Sequence, residues 1–581
     1  MRSLLRAMAS ALVLGLPAMA LWTMPAGATF AYVTNRMSNT VSVIDTATNT
    51  VAATVPVGRT FTAAVLAWAA MAGTAQADFR FPHETDFGLL KPSHKTKEQR
   101  QRAVKLYYRQ WKKDYVKTPS GFPDFRYVAG PVTGDVPDDW KERDKTVKIM
   151  SGSENTGYGM LLTVTMEGQC ATDPTAECPG PRSEKADFDG LLKTYLRFRS
   201  NMCSGCKLMS WAVPSNFDPT FRSDNAADGD LDIALALLMA HQQWGSNGTV
   251  NYLQMAKDEY AAIAKYNFTL HKIPGQSDYR IRVNLGDWSL ADGGNFVEAD
   301  QKTDLDGDGA KTKTFKGLYP YTTRPSDWLL SHFHVFGRRF GTECVRDCST
   351  NPLSYGSAGN MAAAEIRDLY NTYFKSGSAG VPAAGNKGLI SDFVVPKTLA
   401  GGTIGNAPWS KEAVKRAPDR FIGEDFPTSK WSQNAVRVPW RITWDVMASG
   451  SDDSKAWARR IANFGIDQAH VPESNLEFNW GPTGRIGSTY DLDGTKVTSW
   501  GGRSFPHGQH FASMLITPLV TLKGQPEQAA AQAALNKGWD YMVSARTGPG
   551  SNPDGTSKNG YFKDSLTLFS MLTVAGLIWF P

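Results

Sequence analysis

From residue 78 onward, apolar positions recur every three or four residues in twelve separate segments, with Gly- and Pro-rich loops between them. That period predicts helices near 98–116, 157–167, 187–199, 230–244, 251–266, 326–340, 360–376, 436–449, 453–470, 508–522, 526–545 and 562–577. Alternation of period two is scarce over this stretch and no low-complexity linker interrupts it, so residues 78–581 read as one all-α domain. The segments share no motif of fixed period, which argues against a solenoid. A closed double ring of six helical hairpins fits the count better, and in such a ring the loops at one end converge on a central cleft.

The first 77 residues follow another pattern. Arg2 and Arg6 precede "ALVLGLPAMALW" and an "AGA" ending at Ala28, the arrangement of a secretory signal peptide over residues 1–28. Residues 29–58 alternate β-branched and polar positions around turn signals, as two or three short strands would. They resemble a single repeat of the YVTN-type β-propeller, and one copy cannot close a core. Arg59, "TFTAAVLAWAAMAGT" and an "AQA" ending at Ala77 then form a second signal-like segment over residues 59–77. Neither apolar run reaches the ~20 residues of a membrane span. The expectation is a disordered or irregular leader on a secreted or periplasmic protein, with no membrane helix in the mature form.

Charge and cysteines narrow the function. The formal charge of +6 falls to +3 once residues 1–77, with four Arg and one Asp, are removed. No basic run interleaved with aromatics stands out, so nucleic acid is not an expected partner. Six cysteines in an exported chain favour disulfides, most simply within the neighbouring couples Cys170–Cys178, Cys203–Cys206 and Cys344–Cys348. A zinc site on the first four lacks paired CxxC spacing.

Two stretches concentrate candidate chemistry. "SGSENTGYGMLLTV" (151–164) sets Glu154 among small polar residues before an apolar run. Ser151 and Glu154 have the spacing of a capping box, the plain reading of that carboxylate. "AADGDLDIALALLMAHQQWG" (226–245) opens a helix with Asp228, Asp230 and Asp232, which by themselves would complement the helix dipole.

Taken together, "SENTGYGMLL" and "ADGDLDIALALLMAHQQW" resemble glycoside hydrolase family 8. "TRPSDWLLSHFHVFG", "NAVRVPWRITWD" and "YFKDSLTLFSMLTVAGLIW" extend the likeness over roughly residues 80 to 581. It departs from the family pattern at Asn155, Thr156 and Ala227. The resemblance implies an (α/α)6 barrel of twelve helices and hydrolysis of β-1,4-type bonds with inversion, in which an acid protonates the leaving oxygen and a base activates water on the opposite face. Glu154 then matches the acid, and Asp228 the aspartate that binds and helps distort the central sugar. Asn434 stands where many members carry the basic aspartate, and an amide cannot take that proton. A chitosanase- and lichenase-like subgroup draws its base from a glutamate on the preceding loop, which points to Glu424 here, with Asp425 as the alternative. Asn434 would orient the water or the sugar, and Arg437 would hold the base charged.

Trp211 and Tyr561 are candidate sugar platforms, as aromatic rings suit the apolar faces of sugars, and Asp327 is a further binding candidate; core packing or a helix start explains each equally plainly. "DLDGDGAKTKTF" (304–315) matches the first half of an EF-hand loop, so Asp304, Asp306 and Asp308 would offer oxygens to a structural calcium. Phe315 occupies the position where a glutamate closes such loops. No cofactor is otherwise required. The expected protein is a monomeric endo-hydrolase of a cellulose-like or mixed-linkage β-glucan. A chitosanase of the same family is the close alternative, and a polysaccharide-binding protein that has lost hydrolysis the more distant one.

Overall fold

The structure, a computed structural model, describes residues 30–35, 40–45, 50–56, 79–130, 136–170, 184–203, 205–272, 279–289, 321–349, 352–375, 385–396, 414–469, 487–504, 508–544 and 560–581. The chain divides into two units, Met1–Ala77 and Asp78–Pro581. In the first, strands Phe30–Asn35, Thr40–Asp45 and Thr50–Pro56 form an antiparallel sheet in sequence order. These are the short strands expected of residues 29–58. The two signal-like segments lie outside the described residues.

In the second unit the described residues hold thirteen α-helices: α1 Lys97–Tyr115, α2 Asp138–Arg143, α3 Ser153–Thr165, α4 Glu184–Arg197, α5 Ala227–Trp244, α6 Tyr252–Tyr266, α7 Leu330–Phe340, α8 Tyr355–Asp368, α9 Val438–Ser449, α10 Asp452–Ala469, α11 Gln509–Ile516, α12 Gln528–Ser544 and α13 Tyr561–Ala575. Twelve correspond to the predicted segments; the short α2 is additional. Prolines mark the altered ends of two predicted helices, since the ring and missing N–H do not suit the i→i−4 ladder. Pro325 opens a separate 3₁₀ turn, Pro325–Asp327, ahead of α7, and Pro518 converts the end of α11 into the 3₁₀ segment Thr517–Leu522.

The helices alternate between two layers. α3, α5, α7, α9, α11 and α13 each pack on the next, and α13 returns to α3, closing an inner ring. Around it α4, α6, α8, α10 and α12 each back the inner helix preceding them in the chain, and α1 backs α13. This is an (α/α)6 barrel. Sequence chemistry sorts the layers: α1 keeps a stripe of Val104, Tyr107, Tyr108, Trp111 and Tyr115 inward and its charges, Asp114 apart, outward, whereas all of α11 and every α3 residue except Glu154 are buried. A helix apolar all round must lie inside, and an amphipathic one at its edge.

Glycines bring α3 and α5 closest. A Cβ built on Gly229 would lie 2.5 Å from Ser153 Oγ and 2.6 Å from the Ser153 carbonyl carbon; one on Gly157 would lie 2.9 Å from Asp232 Cβ. Both helices therefore start side by side, with Glu154 and Asp228 each the second residue of its helix. Disulfides join Cys203 to Cys206 and Cys344 to Cys348, as expected; Cys170 is also disulfide-bonded, while Cys178 lies outside the described residues. Among the described residues no helix is long and apolar enough to cross a membrane.

The Gly229 contact is with backbone, so relief requires the helices to part. Gly229→Ala is expected to lower the unfolding free energy by about 1–3 kcal/mol, the usual cost of overpacking, as read by chemical denaturation.

Candidate active site

Strand Ile149–Gly152 pairs with Ala212–Pro214 and leads directly into α3. The helix is capped by Gly152 with no side-chain bond, and Ser151 instead gives its hydroxyl to the Val128 carbonyl at 2.8 Å. The capping box does not form, because Ser151 belongs to the strand. Asn155 and Thr156, which depart from the family pattern, are both buried and bond backbone carbonyls of Val128 and Gly152. They serve helix packing, and Glu154 alone in α3 reaches the cleft, its side chain 16% exposed.

Arg437 joins the ends of three inner helices. It lies in the 3₁₀ turn Ala435–Arg437 that runs into α9, and its guanidinium is 1% exposed. Nη1 donates to Glu154 Oε2 at 2.7 Å and to Asp228 Oδ2 at 2.6 Å, while Nη2 donates to Ser326 Oγ and Asn434 Oδ1, both at 2.9 Å. Arg324 approaches the other Asp228 oxygen at 2.9 Å and also pairs with Asp327. One turn deeper the arrangement repeats: Arg441 forks onto both Asp232 oxygens at 2.8 and 2.6 Å, and His332 Nε2 lies 3.0 Å from Asp232 Oδ1. Asp228 and Asp232 on α5 thus face Arg437 and Arg441 as two rungs at i, i+4.

These surroundings separate the carboxyls electrostatically. Burial raises the pKa of Glu154 above the usual carboxylate range against the pull of Arg437, with Asp228 adding to the rise. Asp228 is buried too, yet Arg324 and Arg437 outweigh that and hold it well below its ordinary value. Asp327 is pushed by burial up to about 6 despite Arg324. One group near Glu154 is therefore held ionised while Glu154 itself favours a proton.

Glu424 lies within electrostatic reach of the same groups. It follows the turn Phe421–Gly423, where Arg420, Ile422 and Gly423 have φ of 63°, 52° and 80°. A β-branched residue in the left-handed region is strained, and the loop neck that holds it there is pinned. Thr428 Oγ1 accepts from Phe421 N–H and donates to Pro418 O, and Asp419 accepts from Ser429 N–H and Trp500 Nε1. Burial pushes the Glu424 carboxyl up to about 7, against Arg324, Asn434 and Arg437 and with Glu154. Asn434 lies close enough to favour its charged form, and among the described residues its buried Nδ2 makes no hydrogen bond of ordinary length. Asp425 points outward and is exposed.

The other expected residues fall as follows. Trp211 is half-buried beside the start of α3: its carbonyl accepts Ser153 N–H at 3.2 Å and its indole N–H donates to Ser223 at 3.0 Å. Tyr561 is turned towards Glu154. Its ring is 4% exposed against Gly130, and its hydroxyl bonds Glu154 Oε1. Asp304, Asp306 and Asp308 lie outside the described residues. Arg324, Ser326 and the Asp232–Arg441 pair went unread in the sequence. Arg324 stands three residues before Asp327, and Asp232 and Arg441 each follow a candidate residue by four, the spacing that signals a shared helix face.

Known proteins similar to this chain share its fold. The family model described as glycosyl hydrolases family 8 matches residues 181–278. An endoglucanase of Bacillus sp. (strain KSM-330) is 30% identical over 505 residues, covering 86% of this chain and 82% of that protein. A beta-glucanase of Niallia circulans is 30% identical over 502 residues, covering 86% and 91%. Among solved structures, the apo beta-1,3-1,4-glucanase from Paenibacillus sp. X4 superposes with a TM-score of 0.58 at 25% identity, covering 87% of this chain and 100% of that one. A cold-adapted family 8 xylanase, at TM-score 0.51 and 15% identity over 85% of this chain and 95% of its own, shares the fold.

The deeper rung supports the upper one. Asp232→Ala would leave the Arg441 guanidinium buried without its counter-ion, and the expected loss is about 3–5 kcal/mol of unfolding free energy, measured by denaturant titration.

Proposed function

The chain belongs to glycosyl hydrolases family 8, and on that premise we propose that it is an exported endo-hydrolase of β-glucan whose proton transfers are divided between Glu154 and Glu424. The observation that carries the reading is the Arg437 fork, which groups Glu154 and Asp228 while Glu424 stands within electrostatic reach of both Glu154 and Arg437.

In this reading Glu154 gives its proton to the glycosidic oxygen as the C1–O bond breaks. Water attacks C1 from the opposite face, and Glu424 takes the proton it releases, so the β-linkage yields an α-product. Asp228, held ionised, accepts hydrogen bonds from sugar hydroxyls and steadies the positive charge developing at the ring. Asn434 Nδ2, beside Glu424, donates to the attacking water, the task left to an amide once the base has moved to the loop. Solvent restores both carboxyls, and no cofactor takes part.

Two features favour a glucan substrate. The relatives carry the names endoglucanase and beta-glucanase, and the +3 balance outside residues 1–77 does not favour a polycation such as chitosan. Export rests on the Arg2/Arg6 leader ending at Ala28.

Reducing-end release from mixed-linkage glucan, carboxymethylcellulose and chitosan, measured in parallel, tests this. Activity on the glucans is expected, with Glu154→Gln and Glu424→Gln each slower by roughly 10²–10⁴-fold. Activity confined to chitosan would overturn the substrate, and an undiminished Glu424→Gln would overturn the base.

The pH profile carries a separate sign. The base must be ionised, so kcat/KM should rise with pH through the Glu424 pKa, which is about 7 in the free protein. The acid must be protonated, so activity should fall as Glu154 ionises. The Tyr561 hydroxyl favours the charged form of Glu154; Tyr561→Phe should therefore raise that pKa and move the alkaline limb upward.

A further inference from the structure

Asp392 belongs to none of the motifs that point to the site. It lies between Ser391 and Phe393, ahead of the short strand Val394–Pro396, and is fully buried. Its Oδ1 accepts the backbone N–H of Ser432 at 3.0 Å and of Ala435 at 2.7 Å; its Oδ2 accepts that of Asn434 at 3.2 Å. Its own N–H donates to the Lys430 carbonyl at 3.0 Å. The three amides precede or open the turn that runs into α9 and so have no partner within the helix. A carboxylate from a distant segment supplies that partner, and a slip in its hold would move Asn434 and Arg437 together.

We infer that Asp392 is a positioning residue for hydrolysis: by gripping the backbone of Ser432–Ala435 it sets where the Asn434 amide and the Arg437 fork stand relative to Glu154 and Glu424. The inference rests on the reading of Glu424 as the base.

The electrostatics give it a readout that a purely structural cap would lack. Burial, against the three N–H donors, pushes Asp392 up to about 7, and the Glu424 charge adds to the rise. The groups that face Glu424 are Arg324, Asn434, Arg437 and Glu154, together with Asp392 itself. Asp392 and Glu424 are thus like charges that oppose each other's ionisation. Removing the charge at 392 lowers the Glu424 pKa, so the base is ionised at lower pH.

The test compares full-length wild type, Asp392→Asn and Glu424→Gln on soluble mixed-linkage glucan. For Asp392→Asn the expected result is a fall in kcat of roughly 10²-fold with KM within about threefold. The acid limb of kcat/KM should move to lower pH, and amide exchange should speed up in peptides spanning 432–437 while those from α5 stay protected. Loss of thermal stability with the acid limb in place would mean a cap and no more, and would overturn the inference, as would unchanged kcat. Should Asp392→Asn not fold, Asp392→Glu keeps the charge on a longer arm. A fall in kcat with an unmoved limb then supports the inference, and wild-type kcat overturns it. If Glu424→Gln is as active as wild type, the assignment of the base has failed; if Glu424→Gln is inactive and Asp392→Asn behaves as wild type, only the role of Asp392 has.

Discussion

One guanidinium organises this site. Arg437 is almost wholly buried, carries a fixed positive charge and has a planar fork that can satisfy several oxygens at once. A buried cation must be compensated, and Glu154, Asp228, Ser326 and Asn434 do so from four separate stretches of chain. The two carboxylates do not share it equally. Asp228 has Arg324 as a second cation and remains ionised, whereas the buried setting of Glu154 favours its proton against the pull of Arg437 and of the Tyr561 hydroxyl. Division of labour between acids follows from which of them gets the extra cation, since burial alone would raise both.

The fold exists to bring those stretches to one end. The second residue of α3 and the second residue of α5 can meet at Arg437 because glycines let the two helices touch, and because Asp232 and Arg441 tie α5 to α9 one turn below. A buried ion pair adds little net stability over a well-packed apolar pair, and its common use is to specify one alignment among several. Here the lower rung holds α5 and α9 in the register the upper rung needs.

Much of this was legible in the sequence. The twelve helices of the barrel announced themselves, the outer ones by a 3.6-residue period and the inner ones by long apolar runs between Gly- and Pro-rich loops, while the short α2 did not. Glu154 and Asp228 stood in long, specific motifs. What escaped was set by tertiary contact. Ser151 and Glu154 have capping spacing, yet the strand claims Ser151, and no local pattern reveals that a partner strand from residues 212–214 will pair there. The depth of Tyr561 escaped because exposure cannot be read from an aromatic letter; Gly130 makes the room that buries it. Asp392 gave no signal, because its three donors lie forty or more residues away.

The central claim is that water is activated by a side chain distinct from the one that protonates the leaving oxygen. Chemical rescue addresses it directly: Glu424→Ala, folded and supplied with azide, needs no base because the anion is already a nucleophile. The account predicts that azide restores turnover of a soluble β-glucan and that the product is the α-glycosyl azide. Absence of rescue in a folded Glu424→Ala, or a β-configured azide, would contradict it.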